Sequence, residues 1–204
     1  MSARWISTAR LPSAALVESA MNGNARDLDD LARAWLPHVY RWCHRLGGPG
    51  FDAEDSAHEV LVLMCRKLPS LRDPVAFPAW LYGMTRRVLA NHRRRAWWKR
   101  WVPGATVPDR ADTSASPYDS LEARRAHERV WTALTQISDA HRDVLVLCDL
   151  EERPGSEAAV LLDIPLGTVK SRLRAARVAF RTAVATADDH AADDHAALAA
   201  GARP

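Results

Sequence analysis

The chain has 204 residues, 48% of them hydrophobic, and a formal net charge of +3, which suits one domain or two small ones of roughly 100 residues and excludes wholesale disorder. No apolar run approaches the roughly 20 residues of a membrane span, and the opening MSARWISTARLPSAAL lacks a signal peptide's apolar core, so a cytoplasmic protein without membrane insertion is expected. Cys43, Cys65 and Cys148 are odd in number, far apart and without a CxxC pair, which reads as buried free thiols in a reducing compartment.

Helical periodicity runs through nearly the whole chain, after an N-terminal extension with a first helix over residues 1–27. Leu28, Leu31, Trp35, Val39, Trp42 and Cys43 recur three and four apart, interrupted by Pro37, which is expected at a bend or a helix start. GGPG at 47–50 is a break. Asp52 then supplies an N-cap, and the helix after it carries Ala57, Val60, Leu61, Met64, Cys65 and Leu68 on one face. Residues 69–78 hold three prolines and read as a loop. The next helix starts near Phe77 with an apolar stripe of Phe77, Trp80, Leu81, Met84 and Val88. Within it, AWLYGMTRRVLANHRRRAWWKRW (79–101) has no acidic residue and interleaves Arg86, Arg87, Arg93, Arg94, Arg95, Lys99 and Arg100 with Trp80, Trp97, Trp98 and Trp101. Three roles stand open for the last three tryptophans: covering the domain's own end, meeting an inhibitory partner, or touching DNA.

Residues 102–120, rich in Pro, Ser, Asp and Ala without an apolar period, read as a flexible linker. Helical patterning resumes at Leu121 with Val130, Trp131, Leu134 and Ile137 on one face. A helix over 139–150 holds Val144, Leu145, Leu147 and Cys148. A turn at 152–155 leads to a short helix over 156–162, and a final helix runs from Thr168 to about Ala185. The tandem ADDHAADDHA (187–196) reads as a solvated low-complexity tail, because its Asp and His groups lack a scaffold for metal geometry. The expected fold class is all-α, two small helical domains joined by a flexible linker: 28–101, linker 102–120, 121–185, then a tail over 186–204.

Acidic residues gather between Glu18 and Glu59 while 79–101 is purely basic, so separate surfaces are expected to meet separate partners, one a polyanion. No P-loop, HExxH, GxSxG or glycine-rich nucleotide fingerprint occurs, so no enzyme activity, cofactor or metal site is expected. The short helix, tight turn and basic helix at the C-terminal end outline a helix-turn-helix. In that geometry Thr168 caps the second helix, Lys170, Ser171 and Arg174 line its exposed face, and Val169, Leu173 and Ala176 face inward.

IPLGTVKSRLRAAR (164–177), preceded by ISDAHRDVLVLCDLEERPGSEAAVLLD (137–163), resembles the C-terminal domain of the extracytoplasmic-function class of bacterial RNA polymerase sigma factors, of the sigma-70 family. FDAEDSAHEVLVLMCRKLPSLRDPVAFPAWLYGMTRRVLANHRRR (51–95) is similar to the same family's promoter-melting domain. The resemblance implies a sigma-2-like bundle that binds core polymerase and melts the −10 element, and a sigma-4-like helix-turn-helix that reads the −35 element. It implies −35 contacts at Thr168, Lys170, Ser171, Arg172, Arg174 and Arg177, and −10 contacts at Arg86, Arg87, Asn91, Arg93, Arg94 and Arg95. The 71–77 loop is expected to help hold a flipped −10 base. By the same resemblance Asp52, Glu54, Asp55 and Glu59 are expected to dock on the clamp of the polymerase beta-prime subunit. An anti-sigma protein is a further candidate partner, and the free chain is expected to be a monomer. Arg87, Asn91, Ala175 and the PG at 154–155 depart from the family's usual residues and bear on which promoter is read. The competing readings are an ordinary helix-turn-helix regulator and a polymerase-binding adaptor without sigma activity.

Overall fold

The computed structural model describes the backbone over residues 12–48, 51–101 and 121–201, and side chains over 12–48, 51–94 and 129–186. The described residues are helical, with no strand among them. The helices form two compact units, each with its own core: α1 (Ala14–Met21), α2 (Ala25–Gly47), α3 (Ala53–Lys67) and α4 (Phe77–Trp101) make the first. The second contains α5 (Leu121–Gln136), α6 (Asp139–Leu145), α7 (Gly155–Leu162) and α8 (Leu166–Gly201). The expected linker, 102–120, lies outside the described residues.

In the first unit, local capping starts the helices and aromatic packing holds them together. The Asn24 side-chain oxygen accepts from the Arg26 and Asp27 amides at the start of α2, and Asp52 accepts from the Asp55 amide at 2.9 Å at the start of α3. Leu31, Trp35, Val39 and Trp42 of α2 are fully buried. Trp35 meets Phe77 edge-on at 5.5 Å, and Trp42 meets Tyr82 edge-on at 4.9 Å, the arrangement that ring quadrupoles favour.

Four expectations are corrected here. Pro37 sits inside α2 and does not start a helix; residues buried on both sides of it, Trp35 and Val39, belong to one continuous helix. The 69–78 loop contains two 3-10 turns, Leu68–Ser70 and Pro74–Ala76, and Pro78 lies in the first turn of α4, where its missing amide is not needed. The buried face of α4 is wider than one stripe: Tyr82, Thr85 and Leu89 are buried as well, because α4 packs on both α2 and α3. Trp80 is only half-buried, 5.8 Å from the Phe77 ring. The buried Thr85 hydroxyl donates to the Leu81 carbonyl at 3.0 Å.

The cysteines also divide. Cys43 is buried, and burial pushes its thiol up to about 12. Cys65 and Cys148 are half-buried, with thiols raised chiefly by burial.

In the second unit, Ala133, Leu134 and Ile137 of α5 meet Val144 and Leu145 of α6 and Ala176 and Ala183 of α8. The expected 139–150 helix changes pitch at Val146: a π turn, Val146–Leu150, closes with the Glu151 amide on the Val146 carbonyl at 2.9 Å. Its wider turn shifts the buried face, so Val146 and Leu147 are buried and Cys148 is not. Val130, expected in the core, is 40% exposed at the rim of an apolar groove of about 250 Å³ lined by Leu134, Leu145, Leu150 and Phe180. The last helix is longer than expected at both ends, Leu166–Gly201. Alanine has the strongest helix propensity, and extending an existing helix needs no new nucleus, so the repeat segment continues it. The Asp and His side chains of that repeat lie outside the described ones.

Candidate nucleic-acid interface

The C-terminal candidate face is set by what surrounds α8. A buried arginine, Arg142, ties α5 to α6: its guanidinium donates to the carbonyls of Leu134 at 2.7 Å and Ile137 at 3.3 Å, and reaches Asp139 at 3.0 Å. These carbonyls lie at and just beyond the end of α5, where no turn of helix follows, so a cation there satisfies otherwise orphaned acceptors. Sequence patterning missed this role. The only available signal is an arginine between apolar neighbours, in DAHRDVL.

Arg153 does the equivalent for the turn that follows. It donates to Glu151 at 2.9 Å and Glu157 at 3.2 Å, linking the π turn to the first turn of α7. α7 stops at Asp163, whose left-handed backbone (φ 52°) lets its amide reach the carbonyls of Ala159 and Val160; Asp tolerates that region better than most side chains do. Pro165 then follows, and its carbonyl accepts the Thr168 and Val169 amides at 2.9 and 3.1 Å. The helix therefore begins at Leu166, and Thr168 is not its cap. A proline carbonyl one residue ahead of the helix starts it earlier than the Thr suggests.

Along α8, Val169 and Ala176 are buried and Leu173 packs on the core. Lys170, Ser171 and Arg174 are exposed, Thr168 and Arg172 half-buried. Among the described residues Lys170 and Arg174 meet no carboxylate. The Ser171 hydroxyl donates back to the Thr168 carbonyl at 3.1 Å. Arg177 is engaged already: its guanidinium forks onto Asp149 of the π turn at 2.9 and 2.7 Å, and that carboxylate raises its pKa above the ordinary guanidinium value.

The candidate residues of the first unit are more entangled with its fold. Arg93 donates to the Leu46 carbonyl at the end of α2, 3.1 Å away. Arg94 donates to the Asn91 side chain at 2.5 Å. Arg87, Asn91 and Arg94 are exposed and Arg86 is half-buried, while the side chains of Arg95 and of Trp97, Trp98 and Trp101 lie outside the described ones. On α3, Glu54, Asp55 and Glu59 are exposed, but Asp52 is occupied as the cap, and Glu59 bridges to His92 of α4 at 2.7 Å. That bridge joins the acidic helix to the basic one. Among the described residues no group of acidic, histidine or cysteine side chains is arranged to hold a metal ion, and no helix is long and apolar enough to cross a membrane.

Comparison with known proteins bears on both units. Residues 21–99 match the family described as Sigma-70 region 2, and residues 127–180 match Sigma-70, region 4. The ECF RNA polymerase sigma factor SigL of Mycobacterium tuberculosis is 33% identical over 175 residues, spanning 85% of this chain and 94% of that protein. SigE of Mycolicibacterium smegmatis, also an ECF RNA polymerase sigma factor, is 28% identical over 180 residues, 87% of this chain and 70% of SigE. A similar fold is seen in the sigma factor RpoE solved with the anti-sigma factor NepR from Bartonella quintana, with a TM-score of 0.54, 21% identity, and coverage of 78% of this chain and 98% of that one.

Proposed function

The chain belongs to the extracytoplasmic-function group of the sigma-70 family, and from that membership we propose how its parts share the work of starting transcription. As a sigma factor it binds core RNA polymerase and directs initiation at promoters with −10 and −35 elements. It performs no covalent chemistry in that role; what it contributes is binding that differs between closed and melted promoter DNA.

The rear module, 121–185, is assigned to the −35 element. The observation that carries this is the exposed row Lys170, Ser171 and Arg174 on the second helix of a helix-turn-helix, with Arg172 and Thr168 beside it. A helix so placed enters the major groove with its leading turns, where Arg and Lys reach guanine edges and phosphates. Arg177, held by Asp149, sits further along the helix as a backbone contact of fixed orientation.

The front module, 28–101, is assigned to the −10 element and the polymerase. Arg86, Arg87, Asn91, Arg93, Arg94 and Arg95 follow the phosphate backbone, with Arg93 also serving the fold. The 71–77 loop helps hold an extruded base without stacking on Phe77, its one aromatic, which is buried in the core. Asp52, Glu54, Asp55 and Glu59 face the polymerase clamp. A linker at 102–120 lets the two modules reach elements of one promoter. An anti-sigma protein is proposed as a further partner, by analogy with the Bartonella RpoE complex. A cytoplasmic site of action and the absence of enzyme activity follow from the same role.

Run-off transcription with purified core polymerase is the test. Promoter-specific transcripts are expected only when the chain is added. Polymerase binding without transcripts indicates an adaptor, and duplex binding that ignores polymerase indicates an ordinary regulator.

A further inference from the structure

Leu166 opens α8 and is 42% exposed. One and two turns further on, the same side of the helix carries Lys170 and Arg174, both exposed. An isolated exposed leucine is ordinary on a protein surface. This one stands at the head of a cationic row, at the end of the helix that leads into the groove.

Its placement is also defined. A Cβ built on Gly155, the first residue of α7, would lie 3.3 Å from the Leu166 Cδ1 and 3.9 Å from the Val169 Cγ1. The missing side chain at Gly155 thus leaves room for one Leu166 methyl against the start of α7, while the residue as a whole keeps 42% of its surface exposed. The left-handed Asp163 and the Pro165 carbonyl bonds fix the turn that delivers it there. Four residues of helix advance about 6 Å, close to two base-pair steps. The apolar feature that a major groove offers at that spacing is the 5-methyl group of thymine.

We propose that Leu166 is a specificity-determining residue that selects a thymine methyl in the upstream promoter element, next to the base pairs within reach of Lys170 and Arg174. The inference rests on the assignment of α8 to the major groove and adds to it one base of stated chemistry.

The test uses holoenzyme assembled from this chain and core polymerase. A duplex with an upstream element is selected from a random-sequence pool, and each thymine in it is then replaced by uracil, which lacks only the methyl. The natural chain is expected to lose about fourfold in affinity at one thymine, the worth of one buried methyl. Leu166→Ala is expected to bind the thymine and uracil duplexes alike, and Leu166→Met to restore the discrimination. Melting by circular dichroism, unchanged in both variants, shows that the fold is intact. Indifference of the natural chain to uracil at every position overturns the inference, as does undiminished discrimination by Leu166→Ala. In either case the groove assignment stands if Lys170→Ala still weakens binding. A pool that yields no upstream element overturns both.

Discussion

The basic faces of α4 and α8 look alike in composition and differ in what the fold does with them. On α4, Arg93 closes the end of α2, Arg94 is tied to Asn91, and His92 is bridged to Glu59. On α8, Lys170 and Arg174 stand exposed, and the arginines that secure the neighbouring turns, Arg142 and Arg153, come from outside it. Among the described candidate cations of the second unit only Arg177, tied to Asp149, combines support with contact, while Lys170 and Arg174 are left for contact alone; the first asks more of its candidate side chains to do both. A substitution at Lys170 or Arg174 should therefore act on one property, and one at Arg93 on two.

The largest effect expected from this contrast is on stability. Arg142→Met removes the donors to several α5 carbonyls and should cost the second unit about 3 kcal/mol in urea unfolding, while Arg174→Ala stays within about 0.5 kcal/mol. Equal costs would mean that burial does not sort the arginines. Next in size, Lys170→Ala with Arg174→Ala should weaken holoenzyme binding to its promoter by about 30-fold. The same pair should lower the salt slope by about 2, with melting unchanged. A loss of affinity with an unchanged slope would remove these residues from the DNA.

Arg93→Ala tests the mixed character of α4. It should destabilise the first unit by about 1 kcal/mol, since a half-exposed charged donor to one carbonyl is lost, and open-complex formation should fall with it in permanganate footprinting. Arg87→Ala, exposed on the same helix, should lower open-complex formation without moving the melting temperature. If both variants behave like Arg87→Ala, Arg93 has no structural share. The smallest effect belongs to Glu59→Gln, which should cost about 0.5 kcal/mol or less in urea unfolding, as expected of a contact open to solvent.

Much of the fold was legible because helices announce themselves locally. Asp52 as a cap, the α2 stripe through Leu31, Trp35, Val39 and Trp42, and the inward Val169 and Ala176 all follow from spacing. The errors fell where a neighbour overrides the period. Val130 belongs to the α5 stripe by spacing yet borders an open groove, and Tyr82 and Leu89 are buried because two helices, not one, cover α4. Thr168 resembles a cap, but the Pro165 carbonyl ahead of it starts the helix.

The site divides in the same way. That cations and a helix-turn-helix are present was readable, because residue type and order belong to the chain alone. Which cation is spent on the fold was not: Arg93 reaches a carbonyl 47 residues away, and Arg177 a carboxylate 28 residues away. The sequence by itself determined the helices, the two-module order and the chemical character of each face, since these depend on neighbours within a few turns. The tertiary structure alone decided which charged and apolar side chains remain exposed, since a side chain's partners are set by how distant helices pack.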